Sequence, residues 1–457
     1  MSSQPDQAPI QTPVQTPVQA PVQATGVAPV QATLPVLPAP AHLRLRSLDA
    51  FRGLVIVLMF LVNVAGNDPA LPGWLAHRGW NQGRMGNGLA DFVYPWFLFI
   101  VGVAIPFSMA SGRGRDASVV SKLFSALRRG ITIYLLGTLL WCATIGYASP
   151  EAIASGRPRA FIDWRVLLHW DILPMIGLAY FLGVCLHHLP RWAIIAFITL
   201  VLAGKYAILK LIPHPATGEI VWTQSASTQQ WIRAELGWLG TLLTQGLPAT
   251  AIVCMGDLAG RVLRTTSPGG RAFHAALRSS ATPSAAESGP PHTTRADDRP
   301  DWQKLLVAGL TLSLASYAMH RALIPYSKDF MTSSFLLLMA GSAAAVLGLM
   351  YWLIDVRRKT SASFLRVFGV NALAIYVAAE LSWKCILMQW HVVLPGGSLD
   401  PGGDSQPRSA AMIVALKAWL AAGVGDTLAA CLRIAIYIAC FWALAAWMDA
   451  KKLYIKV

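Results

Sequence analysis

His77 opens a polar, glycine-rich loop, H-R-G-W-N-Q-G-R-M-G-N-G, set between two apolar runs. An imidazole titrates near neutrality, so in such a loop it can take or give a proton at physiological pH. The other candidates are polar groups inside apolar sequence, where a charge is expensive and points to function. Asn63 ends the first apolar run and Asp91 opens the second. Asp171 lies in W-D-I-L-P-M-I-G-L-A-Y, Asn371 opens a late apolar run, and Glu380 and Lys384 follow within it. Each has a plainer reading beside the chemical one. Asp91 at a helix start would act as a cap. Asp171 and Glu380 would hold helices together, and Asn63 and Asn371 would be packing hydrogen bonders. Glu380 and Lys384 stand four apart, so they share a helix face and can pair. Arg433, inside the last run, can snorkel. His77 taken alone reads as an ordinary loop histidine. Residue types and spacing leave both readings open.

The elements that must position these groups are helices in a membrane. Of 457 residues, 55% are hydrophobic and 13% charged, against roughly 25% charged in soluble domains. Mean hydropathy is +0.50. A span needs about 20 apolar residues. Ten stretches qualify: 50–66, 89–110, 130–149, 166–187, 193–211, 236–260, 305–324, 333–354, 364–388 and 427–449. The expected fold is therefore all-α, a polytopic membrane protein with about ten transmembrane helices. The net charge of +15 is spread between apolar runs. It follows membrane topology and does not form a nucleic-acid patch. Arg44, Arg46, Arg113, Arg115, Arg128, Arg261, Arg357 and Lys451 belong to the more basic set of loops. The opposite side and the outer helix ends hold fewer basic residues, among them Arg78, Lys205, Lys210, Arg233 and Lys328. The richer side is read as cytoplasmic. Both termini then face the cytoplasm and the His77 loop faces outward.

Two segments stand apart. Residues 1–43 repeat a Pro-Val-Gln unit and read as a disordered Pro/Gln-rich cytoplasmic tail. Residues 261–304 are basic and rich in Ser, Pro, Gly and Ala, and read as a flexible cytoplasmic loop within the domain 44–457. The six cysteines fall in or beside apolar runs without a C-x-x-C pair and read as small buried hydrophobes. No metal site is expected, and no Walker or G-x-G-x-x-G motif indicates a nucleotide fold.

The motifs themselves resemble a family. S-L-D-A-F-R-G from Ser47, L-V-N-V-A-G around Asn63, H-R-G-W-N from His77 and L-A-D-F-V-Y-P-W-F-L-F-I-V-G-V-A-I from Leu89 occur in that order. D-I-L-P-M-I-G-L-A-Y, I-P-Y-S-K-D-F-M-T-S-S-F from Ile324, F-G-V-N-A-L-A-I-Y from Phe368 and the ending K-K-L-Y-I-K-V follow. Together they resemble the transmembrane acetyltransferases typified by lysosomal heparan-α-glucosaminide N-acetyltransferase, over residues 44–457. Two departures mark the chain. Q-G-R-M-G-N-G-L fills a longer gap between W-N and A-D than the family's usual one, and Leu-Pro-Met stands where the lysosomal enzyme has Leu-Gln-Arg.

The resemblance implies acetyl transfer from cytoplasmic acetyl-CoA, as co-substrate, to an amino sugar or related glycan on the far side of the membrane. It implies catalytic roles for His77, Asn63 and Asp91. His77 would serve as base or as transient acyl carrier. Asp91 would orient the imidazole, as in triad logic, and Asn63 would donate to the thioester oxygen. Trp80, Asn81, Asp171, Asn371 and Lys328 would contact substrate. The implied setting is the inner (cytoplasmic) membrane, with the lipid bilayer as partner and association as a homodimer open. The L-D-x-F-R-G opening also resembles membrane O-acyltransferases of envelope polysaccharide. A transporter of a small polar solute is a third reading, although the chain shows no clear internal repeat.

Overall fold

The computed structural model describes residues 45–66, 68–75, 88–110, 118–145, 170–220, 227–266, 301–357, 362–387, 390–393 and 409–455. They form an all-α polytopic membrane protein. The helices are α1 (Arg46–Ala65), α2 (Ala90–Ala110), α3 (Val119–Ile145), α4 (Ile172–His187), α5 (Arg191–Lys210), α6 (Thr228–Thr241) and α7 (Leu247–Thr266). After them come α8 (Asp301–Ala322), α9 (Ser333–Met350), α10 (Ser363–Val370), α11 (Ala372–Leu381), α12 (Met412–Val424) and α13 (Asp426–Ala450). A two-stranded antiparallel ribbon, β1 (His391–Val393) with β2 (Ser409–Ala411), precedes α12.

Among the described residues, seven helical stretches are long and apolar enough to cross a membrane, and an eighth if a bent pair counts as one span. A helix occupies each of the ten expected positions. Three of them depart from a plain span, for local reasons. The fourth, α4, has 16 residues and is short for a 30 Å core. The seventh, α8, is diluted by Ser313, Ser316, Tyr317, His320 and Arg321. The ninth is broken by 77° at Asn371, between α10 and α11. Asn371 leaves helical geometry there (φ −117°, ψ 31°). Its buried amide ties the break to the C-terminal segment: Nδ2–H donates to the Leu453 carbonyl at 2.9 Å, and Oδ1 accepts from the Ile455 N–H at 3.2 Å. The apolar helix α12 was not among the expected spans.

The bundle is held together by close backbone approach, since lipid gives helices little hydrophobic reason to associate. A Cβ on Gly369 of α10 would collide with the Asp49 carbonyl of α1, and one on Gly53 with the Leu365 carbonyl. Outward-facing positions stay apolar: Phe124, Leu139, Trp192, Leu200, Leu314 and Trp447 are exposed. That belt suits lipid and not water. Cys431 and Cys440 lie on this exposed surface, whereas Cys254 is buried, so burial does not hold for all the cysteines. Lys205, expected at an outer helix end, is 2% exposed. Its ammonium donates to Gln229 Oε1 and, at 3.0 Å, to the Thr244 carbonyl, joining α5 to the α6–α7 stretch. The tail 1–43 lies outside the described residues, as does 267–300, between the end of α7 and the start of α8.

Candidate active site

Five elements meet around one cavity. α1 contributes its C-terminal half, from Val55 onward, and stops at Gly66 because that residue takes φ 51° while its N–H still bonds the Val62 carbonyl at 3.0 Å. A glycine adopts this conformation without the Cβ clash other residues meet. α2 contributes its first two turns, α4 its first turn and α11 its whole inner face. The loop before α9 contributes Lys328. The cavity holds about 100 Å³. Its walls are aliphatic, with Val55, Ile56, Met59, Ile172 and Ile176 among them. Asn63, Tyr94, Lys328, Tyr376 and Glu380 bring polar groups to it.

Asn63 is exposed at the cavity wall, within the last turn of α1. Asp91 is 1% exposed. Its Oδ2 accepts the Gly88 N–H at 2.9 Å, which is the capping role, and its Oδ1 lies 3.6 Å from Lys328 Nζ. The capping reading of Asp91 is met by one carboxylate oxygen; the other faces Lys328, a pairing that its place in the sequence did not suggest. Burial pushes the Lys328 ammonium below its usual lysine range, and the Asp91 and Asp329 carboxylates counter this only in part. Tyr94 stands one turn after Asp91, and its hydroxyl is buried without a hydrogen-bond partner. Tyr376 stands one turn before Glu380, whose carboxylate pairs with Lys384 at 3.2 Å as their spacing suggested.

Asp171 sits at the N-cap of α4 without a side-chain cap bond, next to the cavity residues Ile172 and Leu173. Asn371 does not line the cavity; both ends of its amide are engaged by the C-terminal segment. His77, Trp80 and Asn81 lie outside the described residues. The described chain on either side of them does converge: the Leu89 N–H donates to the Trp74 carbonyl at 2.7 Å, beside Ala90 of the cavity wall. At the start of the same connection, Asp68 pairs with Lys417 of α12 at 2.7 Å and with Arg433 of α13 at 3.0 Å. Arg433 also donates to the Val64 carbonyl at 2.9 Å, so it serves the end of α1 and does not reach toward an interface.

Residues 44–256 match the family model described as Heparan-alpha-glucosaminide N-acetyltransferase, catalytic. That range takes in the first four expected motifs and Asp171. Heparan-alpha-glucosaminide N-acetyltransferase of Mus musculus is 37% identical over 97 residues, 21% of this chain and 14% of that protein. The Homo sapiens protein is 36% identical over 126 residues, 25% of this chain and 17% of that protein. The chain thus aligns with under a fifth of each relative. Tyr94 and Tyr376 are the site residues that sequence reasoning missed. The available signal was a tyrosine one helical turn from an acidic group in each case.

Proposed function

We propose that this protein is a transmembrane acetyltransferase that moves acetyl from cytoplasmic acetyl-CoA to an amino sugar or related glycan on the extracytoplasmic side. One observation carries this reading. Asn63 and Lys328, far apart in the chain, line one cavity beside the two ends of the His77 connection, and Asp91 stands 3.6 Å from Lys328. The match of residues 44–256 to a catalytic acetyltransferase region supports it. The cavity end of the bundle is then the outward end, and both termini are cytoplasmic in the inner membrane. Residues 1–43 serve as a tether, and 44–457 as the catalytic domain.

In the reaction, the amine nitrogen bonds to the acyl carbon and the carbon–sulfur bond breaks. The amine proton passes through His77 to the departing sulfur, which leaves as CoA thiol. The same imidazole suits a route in which it carries the acetyl group between two such exchanges. Negative charge gathers on the acyl oxygen, and preorganised donors aimed at it lower the barrier. The Asn63 amide and the Lys328 ammonium are of the right kind. Asp91 is a positioning residue that fixes Lys328 and the start of α2.

The test is transfer of radiolabel from acetyl-CoA to a panel of amino sugars by the full chain in nanodiscs. Wild type is expected to transfer, and His77→Ala to lose about 10²–10⁴-fold, the range of a general base. Unchanged transfer by His77→Ala would reject the site. Absence of transfer to every acceptor, with solute uptake into proteoliposomes, would replace the enzyme by a transporter.

A further inference from the structure

The size and lining of the cavity decide which part of the reaction it can hold. Its volume is about 100 Å³. Pockets that enclose a drug-sized ligand run to about 300–1,000 Å³. A sugar ring, polar on every edge, is mismatched to walls made mostly of Val55, Ile56, Met59, Ile172, Leu173 and Ile176. A two-carbon acyl group matches both in size and in polarity.

The second observation is the Tyr94 hydroxyl. Its residue lines the cavity, the oxygen itself lies just beneath the cavity surface, and it has no hydrogen-bond partner among the described residues. Burying a hydroxyl this way carries a free-energy cost, and such groups in native proteins call for a physical reason. A ligand oxygen that arrives with the substrate supplies one.

We propose that the cavity is an acyl pocket. The methyl end of a short acyl thioester packs among the aliphatic side chains, and Tyr94 donates its O–H to the acyl carbonyl oxygen. This rests on the acetyltransferase reading above and adds to it the element that sets acyl length. Tyr94 keeps its proton throughout. The carbonyl oxygen gains an electron pair as the amine adds, and returns it as the thiolate leaves.

The experiment compares acetyl-, propionyl- and butyryl-CoA as donors to glucosamine, using the full chain in nanodiscs. Wild type is expected to prefer acetyl over butyryl by at least about tenfold, since one methylene in an apolar pocket is worth about 10–200-fold. Met59→Ala and Ile176→Ala enlarge the pocket and should move that ratio toward butyryl by about fivefold or more. Ala90→Val fills it and should depress acetyl transfer. Tyr94→Phe should lower kcat at least about tenfold with acceptor KM unchanged, and should not lower the melting temperature, because no protein partner is lost.

Equal use of acetyl and butyryl by wild type overturns the proposal. So does an unchanged ratio in enlarged variants that melt normally. If the enlarged variants fail to fold, Ala90→Val and Tyr94→Phe decide. Tyr94→Phe with a lowered melting temperature and an unchanged kcat would make the hydroxyl structural and overturn the proposal. A wild type that transfers no acyl group to any acceptor defeats the acetyltransferase reading, and the pocket with it. A wild type that transfers acyl groups without length selection defeats the pocket alone.

Discussion

The two ends of α4 carry polar clusters of similar composition and opposite character. At its C-terminal end, Asp257 of α7 is 1% exposed and fully engaged. Its Oδ1 meets His187 Nδ1 at 2.6 Å, and its Oδ2 accepts from Arg261 Nε at 2.8 Å. Arg261 Nη2 donates to the His187 carbonyl at 2.6 Å. At the N-terminal end, around the cavity, Asn63 is exposed, Tyr94 has an unpartnered hydroxyl, and Lys328 stands 3.6 Å from its acidic neighbour. Charge and histidine content would favour the first cluster as an active site. Hydrogen-bond accounting favours the second, because among the described residues the Tyr94 hydroxyl there lacks a partner, whereas both Asp257 oxygens are engaged.

The strongest test of this contrast is Asp257→Ala. It leaves Arg261 and His187 facing a void. Removing one member of a buried pair costs about 3–5 kcal/mol, so a large drop in detergent melting temperature is expected, with normal kcat in whatever protein stays folded. A variant that melts normally but is catalytically dead would reverse the assignment of the two ends. Next in size is Asn63→Ala. Loss of a donor to the developing oxyanion should cost about 10²-fold in kcat, with melting unchanged; an effect confined to KM would make Asn63 a binding residue instead.

Lys328 sharpens the comparison through pH. Its folded pKa lies below the ordinary lysine value. Between those two values the unfolded chain binds the additional proton, so this group makes stability rise with pH across that window. Activity that needs the ammonium should fall over the same window. In Lys328→Arg, whose charge persists, the alkaline limb of the rate profile should move up or vanish; an unmoved limb would assign it to another group.

The smallest effect belongs to Asp68. Burial raises its pKa, but the bonds from Lys417 and the Ala70 N–H, with the charges of Lys417 and Arg433, outweigh that and leave it below 3.8. Its contribution is therefore present above the unfolded value and is lost as pH falls through the folded one. Asp68→Asn should cost on the order of 1 kcal/mol or less at neutral pH and should flatten the acid side of the stability curve. A curve that keeps its acid slope would mean another carboxylate controls it.

Much of this was legible in the sequence, for identifiable reasons. Continuous apolar runs mark α1, α2 and α13 because lipid and core impose the same composition on them. The ribbon and α12 escaped notice because the chain between the ninth and last expected spans mixes Gly, Pro and charge with a 13-residue apolar helix, shorter than a full span. Lys205 looked topological because spacing cannot show that a lysine near a helix end turns inward to Gln229. Asn371 looked chemical because a polar residue opening an apolar run reads alike whether it holds substrate or the chain's own backbone. Tyr94 hid in an aromatic-rich stretch where a tyrosine passes for filler, and only its missing partner distinguishes it.

The break at Asn371 has a practical corollary. The backbone of Leu453 and Ile455 braces the bend from which Tyr376 and Glu380 hang, so residues 453–455 are mechanically coupled to the cavity some eighty positions upstream. An affinity handle fused to that end, or a trim of even a handful of amino acids, would loosen a cavity wall it never touches.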